Sequence, residues 1–510
     1  MIFDYIIVGA GSAGCVLASR LTENPSTKVL LLEAGPRDTH FWIHVPLGYG
    51  KLFARTDVNW AYESEPEAAL NGRRVFTPRG KVLGGSSSIN GLVYIRGQPE
   101  DFDGWGIPGW DFRSLEPYFE KAEAQLKVSD LDRHEICDAF IASAAALGIP
   151  RNDDFNGPSQ EGTGYYRATA HRGRRRSTAV AYLRPAEKRP NLRVETNALV
   201  TRVVFQGTRA TGVEYRQGGV LKKATAGKET ILAGGAFNSP QLLQLSGVGP
   251  RALLERHGIP VVHDSPQVGE RLQDHFYVRT FWRCCKDITL NDDMKSLWRQ
   301  ARIGLQYLLK KTGPLTVSAG HAAAFVRTRA QLKRPDAQIY FINFSSARRG
   351  GFLHPHSGFT SAVSQLQVES RGSSHLRSAD PTEPPSIRYN YLATENDRRV
   401  MVEGLKFIRR LCNTPPLRDY VEGEYLPGAK VVTDEDWLAY CREMGDTVFH
   451  PTSTCSMGAV VDARLRVNGI SSLRVVDASV MPAVPSGNIN AAVIALAEKA
   501  ADLLRIDAAQ

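Results

Sequence analysis

The sequence predicts an α/β chain, α+β overall, on three observations. Residues 4–20, DYIIVGAGSAGCVLASR, read as a buried strand, a glycine-rich turn and a helix. Residues 192–233 read as a run of antiparallel strands that ends in a second strand-to-helix turn. A length of 510 residues exceeds a single hydrophobic core and implies about two domains.

The first stretch carries the most chemistry. Ile6, Ile7 and Val8 form a β-branched apolar run suited to a buried parallel strand. Gly9 then permits the tight turn, Gly11 lets the backbone approach a pyrophosphate, and Gly14 lets the helix pack on the strand. Ser12 and Ala13 stand in the first helical turn, whose unpaired N–H groups face an anion. Val29 to Leu32 forms the next strand and ends in Glu33, nineteen positions after Gly14, where a carboxylate accepts from a ribose hydroxyl. The motif lies between a strand and a helix, with an acid closing the next strand. It therefore predicts a Rossmann-like dinucleotide site rather than a glycine turn without a ligand. NAD and FAD share this cradle, and the turn does not choose between them.

Composition narrows the classes that remain. Apolar residues make up 42% of the chain and charged residues 23%, the balance of a soluble globular protein. No apolar run is long enough to span a bilayer, and the first is the nucleotide strand itself rather than a signal peptide, so a cytoplasmic location is expected. Seven scattered cysteines without C-x-x-C spacing argue against a disulfide framework or a zinc site, and the vicinal Cys284-Cys285 reads as two reduced core thiols. The histidines include no H-E-x-x-H, and no metal is expected. The net charge is +10, and its densest run, Arg172 to Arg176, has no interleaved aromatics. That run reads as a solvated loop, so no nucleic-acid partner is expected.

Further along, Ala34-Gly35-Pro36 ends the strand, and residues 37–76 read as an aromatic-rich excursion over the surface. Residues 79–91, RGKVLGGSSSING, carry Arg79, Gly84, Gly85, Ser86, Asn90 and Gly91. Backbone N–H groups and hydroxyls at this density suit a phosphate or a flat ring, and the embedded Val82, Leu83 and Ile89 argue against a flexible linker. Residues 110–148 carry helical periodicity. The strands from Leu192 to Ala233 follow, and Gly234-Gly235-Ala236-Phe237-Asn238-Ser239-Pro240 leads into a leucine-rich helix. Residues 337–342 read as a strand and 397–410 as a helix.

The amino-terminal cradle, RGKVLGGSSSIN and GGAFNSPQLLQLSGVGP together resemble the glucose-methanol-choline (GMC) oxidoreductase family of FAD flavoproteins. Residues 267–275, QVGERLQDH, resemble a family segment in which Arg271 stands where Asn is usual, and residues 370–392 resemble its substrate-domain stretch. The resemblance covers most of the chain. It implies an FAD-binding domain in three parts, residues 1–155, 191–276 and 451–510. A substrate-binding domain, built on an antiparallel sheet flanked by helices, is inserted as residues 156–190 and 277–450.

The resemblance also assigns the site. FAD contacts fall on Gly9, Gly11, Ser12, Ala13, Gly14, Glu33, Ala34, Arg79, Gly84, Gly85, Ser86, Asn90, Gly91, Val200, Ala233, Gly234, Asp477, Ala478, Asn488 and Asn490. Some relatives attach FAD through a histidine in the GGSSSIN region. Ile89 occupies that place, which implies a non-covalent flavin. His450, held extended by Pro451, suits the base that takes a hydroxyl proton, since imidazole titrates near neutrality. The family's second catalytic His or Asn precedes a helix Lys by eleven residues, and counting back from Lys499 gives Asn488. Asn490 then serves the flavin or caps the last helix, although either Asn suits a plain N-cap.

The implied reaction is oxidation of an alcohol, a primary one for preference, to the carbonyl. His450 takes the hydroxyl proton, Asn488 positions the oxygen, and hydride passes to flavin N5. Electrons then go to O2 or a quinone or dye-like acceptor. Hydroxynitrile lyase and light-driven fatty-acid decarboxylase are the alternatives on the same fold. Gly91 stands near where choline-specific relatives carry a polar residue, and no acidic and aromatic cage is legible, so choline ranks below a generic primary alcohol.

Overall fold

The computed structural model describes residues 2–347 and 351–509. Its first sheet forms around the strand Ile2–Val8 (β1), whose Tyr5, Ile6 and Ile7 are buried. The helix Ser12–Leu21 (α1) returns over it to Val29–Leu32 (β2), which pairs parallel with β1, Ile6 opposite Leu30. Leu192–Glu195 (β3) pairs parallel with β2 on its far side. Ala198–Gln206 (β4), Arg209–Gln217 (β5) and Val220–Leu232 (β6) then form an antiparallel meander. The second half of β6 runs parallel to β1, Ile7 opposite Ile231, and ends in the helix Gly235–Leu245 (α2). Leu473–Val475 (β7) adds to β6 in parallel, giving the order β3-β2-β1-β6-β5-β4 with β7 on β6.

One expectation is corrected here. Residues 192–195 are a strand but not part of the meander. Asn197 takes a left-handed conformation, φ 53°, and turns the chain out of the β3–β2 ladder, so that Ala198 N donates to Glu33 O at 2.8 Å and β4 goes on to pair with β5 instead. Strand character is local in sequence; the partner is not.

The last helix, Asn490–Ala509 (α3), packs against α1 and is buried along most of its length, as its alanine-rich sequence allows. The Arg20 guanidinium donates from Nε and Nη2 to the two carboxylate oxygens of Glu498, each at 2.8 Å, and Lys121 Nζ lies 2.9 Å from Glu498. Glu498 is fully buried, so this fork fixes the two helices in register.

The second sheet is antiparallel. Its strands run in the order 421–426, 276–284, 358–365, 337–342, 322–326, 162–165, with 446–447 also on 276–284. Alternation decides its faces. Phe276, Val278, Trp282, Ile339, Phe341 and Val363 pack with Val400, Met401, Leu405 and Ile408 of the helix Glu395–Cys412. Tyr277, Tyr340 and Ala362 point the other way, toward the first sheet.

Three further readings change. Residues 37–76 are not a surface excursion, because Ile43, Leu52 and Val58 are buried with Val82 and Ile89. The Arg172–Arg176 run is not wholly solvated, since Arg175 is buried to 2% exposure. Of the vicinal thiols, Cys284 is buried and Cys285 is exposed.

Candidate active site

A cavity of about 560 Å³ lies between the carboxyl ends of β1 and β6 and the inner face of the second sheet. This is where parallel sheets bind ligands. Every residue that the sequence assigns to flavin or catalysis lines it except Gly14 and Gly84. Those two have packing roles. A Cβ on Gly14 would stand 1.9 Å from Gly9 O, and Gly84 turns the chain at φ 87°.

The cradle fits a dinucleotide. Gly9 has φ 101°, and a Cβ on it would lie 2.5 Å from Ala233 O. Helix α1 starts after Gly11 with no side-chain cap, which leaves its first-turn N–H groups open to a pyrophosphate. Ser12 Oγ donates to Asn490 Oδ1 at 2.7 Å, tying the start of α1 to the start of α3. Glu33 accepts from the N–H groups of Ala10 and Gly35, both at 2.9 Å, and lines the cavity as a ribose acceptor must. Burial pushes its carboxyl up to about 7, against the pull of those two bonds. Asp477 accepts from Gly235 N, Ser239 Oγ and Ser479 N, locking the turn into α2 against the end of β7.

The GGSSSIN loop lies directly on this cradle. A Cβ on Gly85 would come within 2.6 Å of Gly11 Cα. Arg175 donates to Ile43 O at 2.7 Å, Ser87 O at 3.1 Å, Asn90 Oδ1 at 2.6 Å and Asn90 O at 2.7 Å. It braces the loop from behind, a role that its neighbours in a basic run concealed. Burial lowers its pKa to about 9. Arg79 donates to Phe449 O at 2.8 Å and so holds the residue before His450.

His450 and Asn488 meet as expected, with Asn488 Nδ2 3.1 Å from His450 Nε2. The rest of the centre was missed in the sequence. His275 Nδ1 lies 3.0 Å from His450 Nδ1, and His275 Nε2 lies 3.2 Å from Leu366 O. A carbonyl only accepts, so His275 carries its proton on Nε2 and receives a hydrogen bond at Nδ1. His450 is therefore the donor at Nδ1, and its Nε2 keeps a lone pair facing Asn488 and the cavity. Burial lowers the His275 pKa to about 4, with the Leu366 carbonyl opposing, so this neighbour stays neutral. Asp274 accepts from His450 N at 2.6 Å and from the hydroxyls of Tyr391 and Thr447. Burial raises its carboxyl to about 6. Behind Asn488, Gln338 Nε2 donates to Tyr166 Oη at 2.7 Å and reaches Asn488 Oδ1 at 3.4 Å. The signal for Asp274 and His275 was present, since both close the QVGERLQDH segment; nothing in the sequence paired them with residue 450. Arg271, in the same segment, has φ 62°, a conformation that Asn adopts more readily than Arg.

Comparisons with known proteins agree. The amino-terminal GMC oxidoreductase signature matches residues 3–277 and the carboxy-terminal one residues 368–497. The chain is 41% identical to mouse mitochondrial choline dehydrogenase, covering 99% of this chain and 89% of the relative. It is 42% identical to the oxygen-dependent choline dehydrogenase of Pseudomonas putida, covering 99% and 94%. The fold matches pyridoxine 4-oxidase of Mesorbium loti with a TM-score of 0.89 at 28% identity, covering 99% of each chain. It matches Aspergillus oryzae formate oxidase with a TM-score of 0.91 at 27% identity, covering 99% and 98%. These relatives are dehydrogenases and oxidases, and they do not favour the lyase and decarboxylase readings. With a dinucleotide cradle and an imidazole–amide pair in one cavity, the chain belongs to the GMC oxidoreductase family and is an FAD-dependent oxidoreductase acting on an alcohol.

Proposed function

We propose that the chain oxidises an uncharged primary alcohol with an apolar or aromatic body. When bound, FAD supplies the acceptor for the hydride that leaves the carbinol carbon. The hydrogen-bonded chain Leu366 O, His275, His450 carries this reading, because it leaves His450 Nε2 unprotonated and 3.1 Å from Asn488 Nδ2. His450 Nε2 takes the hydroxyl proton, and the Asn488 amide donates to the oxygen as charge gathers there. The glycine turns at residues 9–14 and 84–85, with Glu33, Asp477 and Asn490, hold the flavin. Ile89 is buried beside the cavity and offers no nucleophile, in keeping with a non-covalent flavin.

The cavity wall beyond the cradle supports the substrate class. It presents Tyr49, Phe53, Tyr277, Tyr340 and Phe344, together with the guanidinium-bearing Arg279. The rings supply the aromatic half of a cage for a quaternary ammonium, which the sequence does not make legible. A carboxylate is still missing, since the acids lining the cavity are Glu33 and Asp477, both within the dinucleotide cradle. A quaternary ammonium favours aromatic faces but is repelled by Arg279. The second reading, choline, rests on those rings and on the choline dehydrogenases among the relatives. Gly91 leaves no space for the polar residue of choline-specific relatives, since a Cβ there would stand 2.2 Å from the Ala319 Cβ.

Electrons pass to O2 or a quinone. The body of the protein is cytoplasmic; no described helix is long and apolar enough to cross a membrane. Residues 1–155, 191–276 and 451–510 form the flavin part and residues 156–190 and 277–450 the substrate part, in keeping with the separate sheets. The test is the visible spectrum of the purified protein under anaerobic conditions, before and after addition of benzyl alcohol, 1-hexanol or choline. Bleaching by the uncharged alcohols at concentrations where choline has no effect is expected. Bleaching by choline alone would replace this reading with the second.

A further inference from the structure

The helix Leu297–Lys310 breaks the rule that apolar faces point inward. Leu297 is 82% exposed, Trp298 83%, Leu305 58%, Leu308 59% and Leu309 73%, while Tyr307 is its one buried residue. At about 100° per residue, those five side chains and Ala301 share an outward arc of about 120°. Ile303 and Tyr307 face the protein. Arg302 borders the arc, and Arg299 and Lys310 follow it about 80–100° beyond that border, on the flank between the arc and the protein. No Asp or Glu occurs between Met294 and Pro335. A monomer in water rarely leaves so many large apolar side chains together in the open.

The helix also borders the active-site cavity. Met294, just before it, Ile303 within it and Leu315, just after it, line that cavity. Leu353 lines it as well, and the adjoining Phe352 is exposed.

We propose that this helix lies in the surface of an anionic lipid bilayer, with its leucines and Trp298 among the acyl chains and its basic flank on the headgroups. An apolar arc of this width, a Trp at its edge and a flank of Lys and Arg are what an interfacial helix requires, and Asp293, four residues before the helix, is an acid within electrostatic reach of Arg299 and Arg302. A second copy of the chain fits less well. An antiparallel two-fold contact would set the same basic flank against itself with no acid on the helix to answer it. The cavity mouth then opens beside the lipid, and an apolar alcohol or acceptor dissolved there enters without crossing water.

The test uses the full-length flavoprotein with sedimenting vesicles of phosphatidylcholine, with and without phosphatidylglycerol. Wild-type protein is expected to pellet with the anionic vesicles and to be released by salt. Leu305→Glu/Leu309→Glu should lower that partition at least about tenfold. Neither residue lines the cavity, so the flavin spectrum and turnover of a water-soluble alcohol should be unchanged. Arg299→Gln/Arg302→Gln/Lys310→Gln should lose the preference for anionic lipid. Wild-type protein that stays in the supernatant would overturn the proposal, as would partition that the leucine variant leaves unchanged. A wild-type dimer that ignores vesicles and becomes monomeric in the leucine variant would overturn it in favour of a second copy.

Discussion

At the residue scale the centre is organised by which ring nitrogen holds which proton. Leu366 O fixes His275 and His275 fixes His450, which leaves the His450 Nε2 lone pair facing Asn488 Nδ2 and the cavity. His450→Ala should lower kcat/KM by about 10²–10⁴-fold while the flavin spectrum persists, since general-base catalysis of this kind contributes that much. His275 does not touch the reacting atoms; it is a positioning residue. His275→Leu removes the acceptor for His450 Nδ1–H and should lower kcat at least about tenfold. It should also move the acid limb of the pH–rate profile, whereas His275→Asn, which can present an oxygen at that place, should restore much of the rate. The same burial makes a stability prediction. The folded pKa of His275, about 4, lies below the ordinary value of 6.5. Its contribution to stability is therefore complete above pH ~6.5 and is lost as pH falls from there toward 4, to the extent of about 3 kcal/mol. Denaturant unfolding followed from pH 7 to pH 4 should show a shallower loss in His275→Asn than in wild type.

At the element scale, the links between segments far apart in the chain fix the cradle. Glu498 in α3 accepts from Arg20 in α1 and Lys121, and these partners hold its carboxyl below the ordinary range although burial alone would raise it. Glu498→Ala should cost about 1–3 kcal/mol, because it removes the two-oxygen partner of Arg20 in α3 and leaves that guanidinium only its pair with Glu23. Because α1 and α3 begin side by side at Ser12 and Asn490, flavin should also be released at a lower temperature. Differential scanning calorimetry with flavin fluorescence reads both. Elements were legible in the sequence wherever the signal was periodic. β1, α1, β2, the meander from 198 to 232, the strand 337–342 and the helix 395–412 all stand where apolar spacing placed them. Residues 192–195 show the limit, since a four-residue apolar strand carries no record of the edge it joins. Arg175 shows another. Its charge read as solvent exposure, and only the fold supplies the four acceptors that bury it.

At the scale of the whole molecule, the active-site cavity exists only because two sheets face each other. The first contributes its strand ends and glycine turns; the second contributes Tyr277, Arg279 and Tyr340 from the face that turns away from the helix 395–412. Arg279 follows Tyr277 by two residues on one strand, about 7 Å along the same face. On the proposed reading it meets the body of the substrate rather than its hydroxyl. Arg279→Glu should shift the ratio of kcat/KM for choline over benzyl alcohol upward by about tenfold or more, and steady-state kinetics with the two alcohols checks it.

The sequence by itself determined the glycine-rich cradle between β1 and α1 and the small-residue loop that packs on it, and it singled out His450 and, through the family resemblance, Asn488, which the fold brings to 3.1 Å of each other. Each of these depends on local backbone freedom or on a short motif whose geometry travels with its residues. The tertiary structure alone decided that His275 sets the proton of His450, that Arg175 braces the loop and that Arg279 lines the cavity. Those roles depend on atoms brought within about 3 Å across the chain, or on two sheets set face to face, and contact between distant segments is set by packing and sheet pairing, which no local pattern encodes.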